Sequence, residues 1–246
     1  MKHKTLAVLC AVVLTAGMMA GCGQKTEDTK TESGSEKTVS DEMAEKAGFS
    51  DGTGEEASDK EDASDAKDTK EAVLDTSKEL TGIHHAQINV KDYGEIQVEL
   101  DADTAPITVT NFVKLAQDGF YDGLTFHRIM DGFMVQGGDP LGNGTGGSDE
   151  NIKGEFSNNG VENNISHTRG VISMARAMDD PDSASSQFFI VHEDSTFLDG
   201  DYAGFGHVTE GMDVVDAICK DAKPTDDNGT IKPEEQPVIE SITIVD

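Results

Sequence analysis

Tryptophan is absent from the 246 residues, and aromatic residues make up only 5% of them. Cysteine is scarce: Cys10, Cys22 and Cys219 are all there is. Cys10 lies inside an apolar N-terminal run and Cys22 follows that run, so Cys219 has no partner and a disulfide framework is excluded. Cys219 follows Val214, Val215 and Ile218 at helical spacing, the setting of a small buried hydrophobe rather than a nucleophile. Basic residues are also few, 19 against 48 acidic ones, for a net charge of −29. Such a field repels nucleic-acid phosphates, so no nucleic-acid partner is expected. The charge reads first as a solubility device and second as a preference for cationic client segments. Apolar residues, at 35%, fall below the usual globular share.

Several reaction motifs are missing too. There is no Gly-x-Ser-x-Gly and no spacing of an activated serine. Asn143-Gly144-Thr145-Gly146-Gly147 is glycine-rich but opens no helix with a lysine, so it is no phosphate loop. His84-His85 and His192-Glu193 have no partners at metal-ligand spacing, and Asp179-Asp180-Pro181-Asp182 reads as a solvated turn. No metal and no cofactor is expected.

Apolar residues are distributed unevenly. Lys2 and Lys4 precede an uncharged apolar run from Leu6 to Met19. That run falls short of the ~20 residues a membrane-spanning helix needs and suits a secretory signal peptide. It ends in Met19-Ala20-Gly21-Cys22, which resembles the lipobox of bacterial lipoproteins, although Leu is preferred where Met19 stands. The resemblance implies cleavage before Cys22, diacylation of Cys22, and anchoring at the extracytoplasmic face of a bacterial membrane. Two acyl chains make such anchoring stable where one does not. Residues 24–80 carry 18 acidic and 8 basic side chains and one aromatic, Phe49. They cannot bury enough apolar surface to offset their ordering entropy and read as a tether with a typical reach of roughly 40 Å. Some helix over residues 64–80 is compatible with the pattern. The expected organisation is a signal peptide at 1–21, a lipid-anchored acidic linker at 22–81, and one folded domain at 82–246.

Within that domain Ala86–Val90 and Ile96–Leu100 alternate apolar and polar residues around Asp92-Tyr93-Gly94, the pattern of a hairpin. Pro106 opens a helix that Gly119 ends. Strands are expected at Leu124–Ile129, Phe133–Gln136, Gly170–Ala175, Gln187–Val191, from Gly206, and over Val238–Val245. A second helix is expected around Met212–Ile218. Many short strands with two helices predict an all-β fold with minor α content, an antiparallel barrel or sandwich. The Gly-, Asn- and Ser-rich stretch from Asp139 to Asn164 is a long loop, and such loops are usually functional.

Five motifs occur in order: Phe126-His127-Arg128-Ile129-Met130-Asp131-Gly132-Phe133-Met134-Val135-Gln136-Gly137-Gly138-Asp139, Asn143-Gly144-Thr145-Gly146-Gly147, Ser173-Met174-Ala175-Arg176-Ala177, Ser186-Gln187-Phe188-Phe189-Ile190 and Phe197-Leu198-Asp199-Gly200. With them the domain resembles the cyclophilins along essentially its whole length. The resemblance implies an eight-stranded closed antiparallel β-barrel capped by two α-helices, a peptidyl-prolyl cis–trans isomerase activity, and a monomer. A non-catalytic proline-peptide-binding module using the same groove is the alternative. The three arginines, Arg128, Arg169 and Arg176, all fall in or beside these motifs. Arg169 reads as a salt-bridging surface residue.

Rotation about an Xaa–Pro bond is opposed by amide resonance worth ~18–20 kcal/mol. A catalyst must hold the twisted amide better than either planar form. The twisted nitrogen regains a lone pair, so an always-charged donor aimed at it acts most strongly in the transition state. The resemblance gives that role to Arg128, with Gln136 orienting it and Phe133 completing the catalytic set. It places the proline ring in a socket of Phe133, Met134, Phe189 and Leu198, residues that periodicity alone would assign to core. Gly144, Ala175, the Arg176 backbone, Ala177 and Gln187 are expected to line the neighbouring groove, with Phe197 and Tyr202 at its rim. The partners implied are Xaa–Pro segments of unfolded or partly folded secreted proteins. Three departures stand out. Phe197 replaces a common tryptophan that supports cyclosporin binding, Tyr202 replaces a common histidine, and Arg176 replaces an asparagine. Catalysis is expected to persist with an altered response to cyclosporin.

Overall fold

The computed structural model describes residues 71–246. The expected signal peptide, Cys22 and most of the expected linker lie outside the described residues. Among the described residues the chain forms eight strands: β1 (Ile83–Val90), β2 (Gly94–Asp101), β3 (Phe126–Met130), β4 (Met134–Gly137), β5 (Val171–Met174), β6 (Phe188–Val191), β7 (Gly204–Glu210) and β8 (Ile239–Ile244). Two α-helices join them, α1 (Pro106–Gln117) and α2 (Met212–Asp221). All strand pairs are antiparallel, in the order β3-β4-β6-β5-β7-β2-β1-β8.

The sheet curls until its two ends meet through the segment before β8. Phe126 N–H donates to the Pro237 carbonyl at 2.9 Å, Ile239 N–H to Leu124 at 2.8 Å, Ile231 N–H to His127 at 3.0 Å and Ile129 N–H to Gly229 at 2.8 Å. Gly229 makes the approach feasible. Its φ is +83°, and a Cβ there would stand 2.5 Å from Met130 Cγ and 2.7 Å from the Ile129 carbonyl. The expected eight-stranded barrel with two helices is thus formed, with an irregular seam in place of a β3–β8 ladder.

Alternation within the strands divides the apolar residues between two clusters. Ile88, Val98, Leu100, Phe126, Ile129, Val135, Phe188 and Ile190 point into the main core. There Phe112 of α1, Tyr121, Phe126, Phe188 and Phe205 pack with ring centroids 5.2–6.2 Å apart. Met134, Phe189 and Val191 point the other way and join Val171 and Leu198 in a second, smaller cluster.

Helix α1 starts at Pro106 and has no cap from its own N-cap residue, Ala105. The carboxylate of Glu155, 2% exposed, supplies one from the long loop. It accepts the Ile107 N–H at 3.0 Å and the Thr108 N–H at 2.7 Å. The loop expected to be functional is therefore also structural, since it satisfies the helix's free donors.

Residues 71–80 form no helix. They run against the domain as irregular chain with a turn at Thr76–Ser77, and their contacts extend to Ala72, ten residues before the expected boundary at 82. Ala72 N–H donates to Ile244 at 2.8 Å, Leu74 N–H to Gln117 Oε1 at 2.5 Å and Leu80 N–H to Thr110 Oγ1 at 2.8 Å. Ala72, Leu74 and Leu80 pack on the main core. A chain beginning at residue 82 is expected to unfold with a free energy lower by about 1–3 kcal/mol than one beginning at residue 71, in urea titrations followed by circular dichroism.

Candidate active site

Strand β3 carries a register shift against β4: Phe126 faces Gly137, and two residues later Arg128 faces the next partner, Gln136. His127 is the extra residue of this bulge. Plain alternation would put Phe126 and Arg128 on one face. The bulge instead sends Phe126 into the core and Arg128 outward, beside Met134 and Gln136 of β4.

A cavity of about 520 Å³ opens on this outer face. Arg128, Phe133, Met134, Gln136, Gly144, Ala175, Arg176, Phe189, Phe197, Leu198 and Tyr202 all line it. Ala177 and Gln187 line a second chamber of about 230 Å³, which shares Gln136, Gly144, Ala175 and Arg176 with the first. All the groove residues expected from the sequence therefore meet in one two-chambered cleft. Met134, Phe189 and Leu198 form its buried apolar floor, while Phe197 is 72% exposed, its ring centroid 5.6 Å from that of Phe133. The apolar side chains that periodicity could not tell from core thus belong to the second cluster and open onto the cavity.

Arg128 is held from three sides. Its Nε donates to the Asn228 carbonyl at 2.7 Å and Nη1 to Gln136 Oε1 at 3.1 Å. The sulfurs of Met130 and Met134 lie 3.3 Å from Nη2 and 3.9 Å from Nη1, and the Phe133 ring centroid lies 5.9 Å from Cζ. Burial lowers the guanidinium's pKa, against the opposing pull of Tyr202 and Asp226, but a group starting this high stays charged. Gln136 extends the network: its Nε2 donates to Gln187 Oε1 at 2.9 Å, and Gln187 Nε2 donates to the Gly146 carbonyl at 2.7 Å. Gly146 belongs to a loop folded around Asp139, whose carboxylate accepts the N–H groups of Leu141, Asn143 and Gly144 at 2.6–3.0 Å. Burial opposes ionisation of Asp139, but those donors, with Gly146, outweigh it and hold its pKa below the ordinary value.

His127, Asn143, Met178, Asn228 and Thr230 also line the cavity; His127 and Asn143 lie within the quoted motifs but were not expected in the groove, and Met178, Asn228 and Thr230 lie outside the motifs. Asn228 and Thr230 come from the seam, held by Asp226 Oδ1, which accepts both their N–H groups at 3.0 Å. The Asp226-Asp227-Asn228-Gly229 turn was the available signal, but it is a common turn composition. His127 is buried with neither ring nitrogen hydrogen-bonded, and burial lowers its pKa.

Away from the cleft, donor atoms of Asp131, His192 and Cys219 lie within 4.8 Å of one another, a grouping that spacing did not reveal. They are committed elsewhere. His192 Nδ1 accepts the Gly132 N–H at 2.9 Å, its Nε2 meets Asp216 Oδ1 at 3.1 Å, and burial pushes the Cys219 thiol up to about 12. The trio pins the β3–β4 turn to α2. Arg169 makes the expected surface ion pair, donating from Nη2 to both oxygens of Asp216 at 2.7 and 2.9 Å.

These groups give the stability a defined pH dependence. Burial also lowers His167, despite its contact with Asp199 at 2.9 Å. For His127 and His167 the unfolded chain takes up protons first, so stability is complete above their ordinary value of 6.5 and declines as pH falls below it. For Asp139, Asp199 and Asp216, held below 3.8, the contribution is present above that value and is lost as pH falls further. Melting temperatures measured across this range are expected to step down twice, and His127→Gln is expected to shrink only the first step.

The model of the family described as cyclophilin type peptidyl-prolyl cis-trans isomerase/CLD matches residues 85–244. A peptidyl-prolyl cis-trans isomerase B of Bacillus subtilis is 48% identical over 124 residues, 50% of this chain and 82% of the relative. A peptidyl-prolyl cis-trans isomerase of Helicobacter pylori is 47% identical over 127 residues, 51% of this chain and 74% of the relative. Among solved structures, a Cryptosporidium parvum cyclophilin type peptidyl-prolyl cis-trans isomerase superposes with a TM-score of 0.59 at 28% identity, covering 66% of this chain and 98% of its own. That protein has also been solved in the presence of the dipeptide Ala-Pro, with a TM-score of 0.58 at 29% identity, covering 65% of this chain and 98% of its own. By motif order, barrel and groove alike, the chain belongs to the cyclophilin-type peptidyl-prolyl cis–trans isomerases.

Proposed function

We propose that Arg128 is the catalytic donor and that the cleft isomerises Xaa–Pro bonds without covalent chemistry. The observation that carries this reading is the placement of Arg128. Its guanidinium is fixed by Asn228 and Gln136 at the edge of a cavity floored by Met134, Phe189 and Leu198. The apolar floor suits a proline ring, and the Ala-Pro dipeptide present with the Cryptosporidium neighbour supports a prolyl ligand. A donor already anchored on its far side needs no reorganisation when the amide twists, so its stabilisation is concentrated in the transition state. Phe133 closes the socket and Gln136 orients Arg128. Gly144, Ala175, the Arg176 backbone, Ala177 and Gln187 hold the extended chain on either side, with Phe197 and Tyr202 at the rim. Main-chain bonds along such a groove give broad client range.

The setting proposed is the extracytoplasmic face of a bacterial membrane, with the domain tethered through lipidated Cys22 and acting on secreted proteins as they fold. The apolar run ending in Met19-Ala20-Gly21-Cys22 supports it, as does the polar, charge-rich segment that follows.

Two measurements test these readings. In a protease-coupled Xaa–Pro peptide assay, Arg128→Ala is expected to lower kcat/KM by at least ~100-fold, about 2.7 kcal/mol; a rate near wild type would remove Arg128 from the mechanism. Cys22→Ala is expected to abolish acylation and release the protein from the membrane fraction in a labelled-palmitate experiment. Retention with normal processing would refute the anchor.

A further inference from the structure

The chain carries 48 acidic residues, yet among the described residues no carboxylate lines either chamber of the cleft. The three arginines divide along the same boundary. Arg169, outside the cleft, is neutralised by Asp216 at 2.7 Å. Arg128 and Arg176, inside it, have no carboxylate partner among the described residues, their hydrogen bonds running to carbonyls, an amide and sulfurs.

Arg128 is occupied with the reacting bond, but Arg176 is not. Its Nε donates to the Asp201 carbonyl at 2.8 Å, and Nη1 donates to the carbonyls of Ala177 at 2.8 Å and Met178 at 3.1 Å. Its guanidinium lies over the Phe156 ring at 5.1 Å and the Tyr202 ring at 4.8 Å. Among the described residues Nη2 has no acceptor. Three carboxylates of the flanking loops serve other donors: Asp180 accepts the Asp182 N–H, Asp182 accepts Gly154 and Asn159, and Asp201 accepts Asn158. A cation held against two rings, on a residue that lines both chambers, binds a carboxylate with little further loss of side-chain entropy. It also penalises a lysine placed there by like-charge repulsion.

We propose that Arg176 is a specificity determinant, favouring client segments with a carboxylate side chain within a few residues of the isomerised Xaa–Pro bond over segments with lysine there. This rests on the isomerase reading of the cleft. It reverses the simplest inference from net charge, that so acidic a protein prefers cationic clients. The whole-domain field governs distant approach, whereas the unneutralised guanidinium governs the contact.

The test uses the full-length protein and Xaa–Pro peptides bearing Glu, Gln or Lys at each of the positions flanking the bond. Physiological ionic strength screens distant charges beyond ~8 Å. At one or more positions kcat/KM for the Glu peptide is expected to exceed that for the Gln peptide by about three- to tenfold, with Lys below Gln. Arg176→Gln is expected to bring the Glu-to-Gln ratio to one, and Arg176→Lys to retain part of it. Should Arg176→Gln fold poorly, the wild-type ratio is expected to fall toward one in molar salt. A wild-type ratio near one at every position, a preference for Lys, or a ratio indifferent to Arg176→Gln would overturn the proposal. Failure of the wild-type protein to accelerate even the Gln peptides would instead overturn the isomerase reading beneath it.

Discussion

The bond from Arg128 Nε to the Asn228 carbonyl, 2.7 Å long and spanning 100 residues of sequence, exists only because the sheet closes on itself. Closure brings the segment from Gly229 to Ile239 against β3, and the same seam that completes the barrel supplies the acceptor that aims the arginine. Fold stability and donor placement are thus one constraint. Opening the seam would expose the aromatic core and release Arg128 together.

The rest of the cleft follows from how the strands distribute side chains. Residues of β4 and β6 alternate between a dense aromatic interior and a second apolar cluster on the opposite face. The interior needs Phe112, Phe126 and Phe188 to fill volume. The outer cluster stays open, so its apolar surface remains available to a ligand. Around it the polar network from Arg128 through Gln136 and Gln187 to Gly146 ties the cleft to the loop folded on Asp139. Each donor in that chain has an acceptor, so the cleft is organised before any ligand enters.

Electrostatics work on two scales. The domain is strongly acidic overall, which keeps it apart from other polyanions. The cleft departs from that average: among the described residues no carboxylate lines it, and two of its arginines have no ion-pair partner. Net charge therefore describes the protein as a long-range body, and only side-chain placement describes what the cleft meets at contact.

The sequence by itself determined the strand and helix pattern, because apolar periodicity reports directly on which face is buried. It also singled out part of the cleft, through five ordered motifs whose residue types suit a proline ring and a twisted amide, while Met178, Asn228 and Thr230 of the same cleft carry no such signal. The ordering of residues 71–80 escaped it. Ala72 and Leu80 are weak apolar signals in a polar stretch, and their burial depends on β8 and α1 being folded beneath them. Glu155 escaped it as well, since a carboxylate capping a helix some fifty residues away leaves no local pattern. The tertiary structure alone decided that Phe126 turns inward while Arg128 turns outward. Strict alternation assigns both to one face, and the bulge at His127 is imposed by pairing with β4. An ion pair at Arg169 was expected from the sequence, but the structure alone decided that Asp216 is its partner and that Arg128 and Arg176 have none among the described residues, because ion pairing depends on distances between residues remote in sequence. Composition counts charges, and only the closed barrel places them.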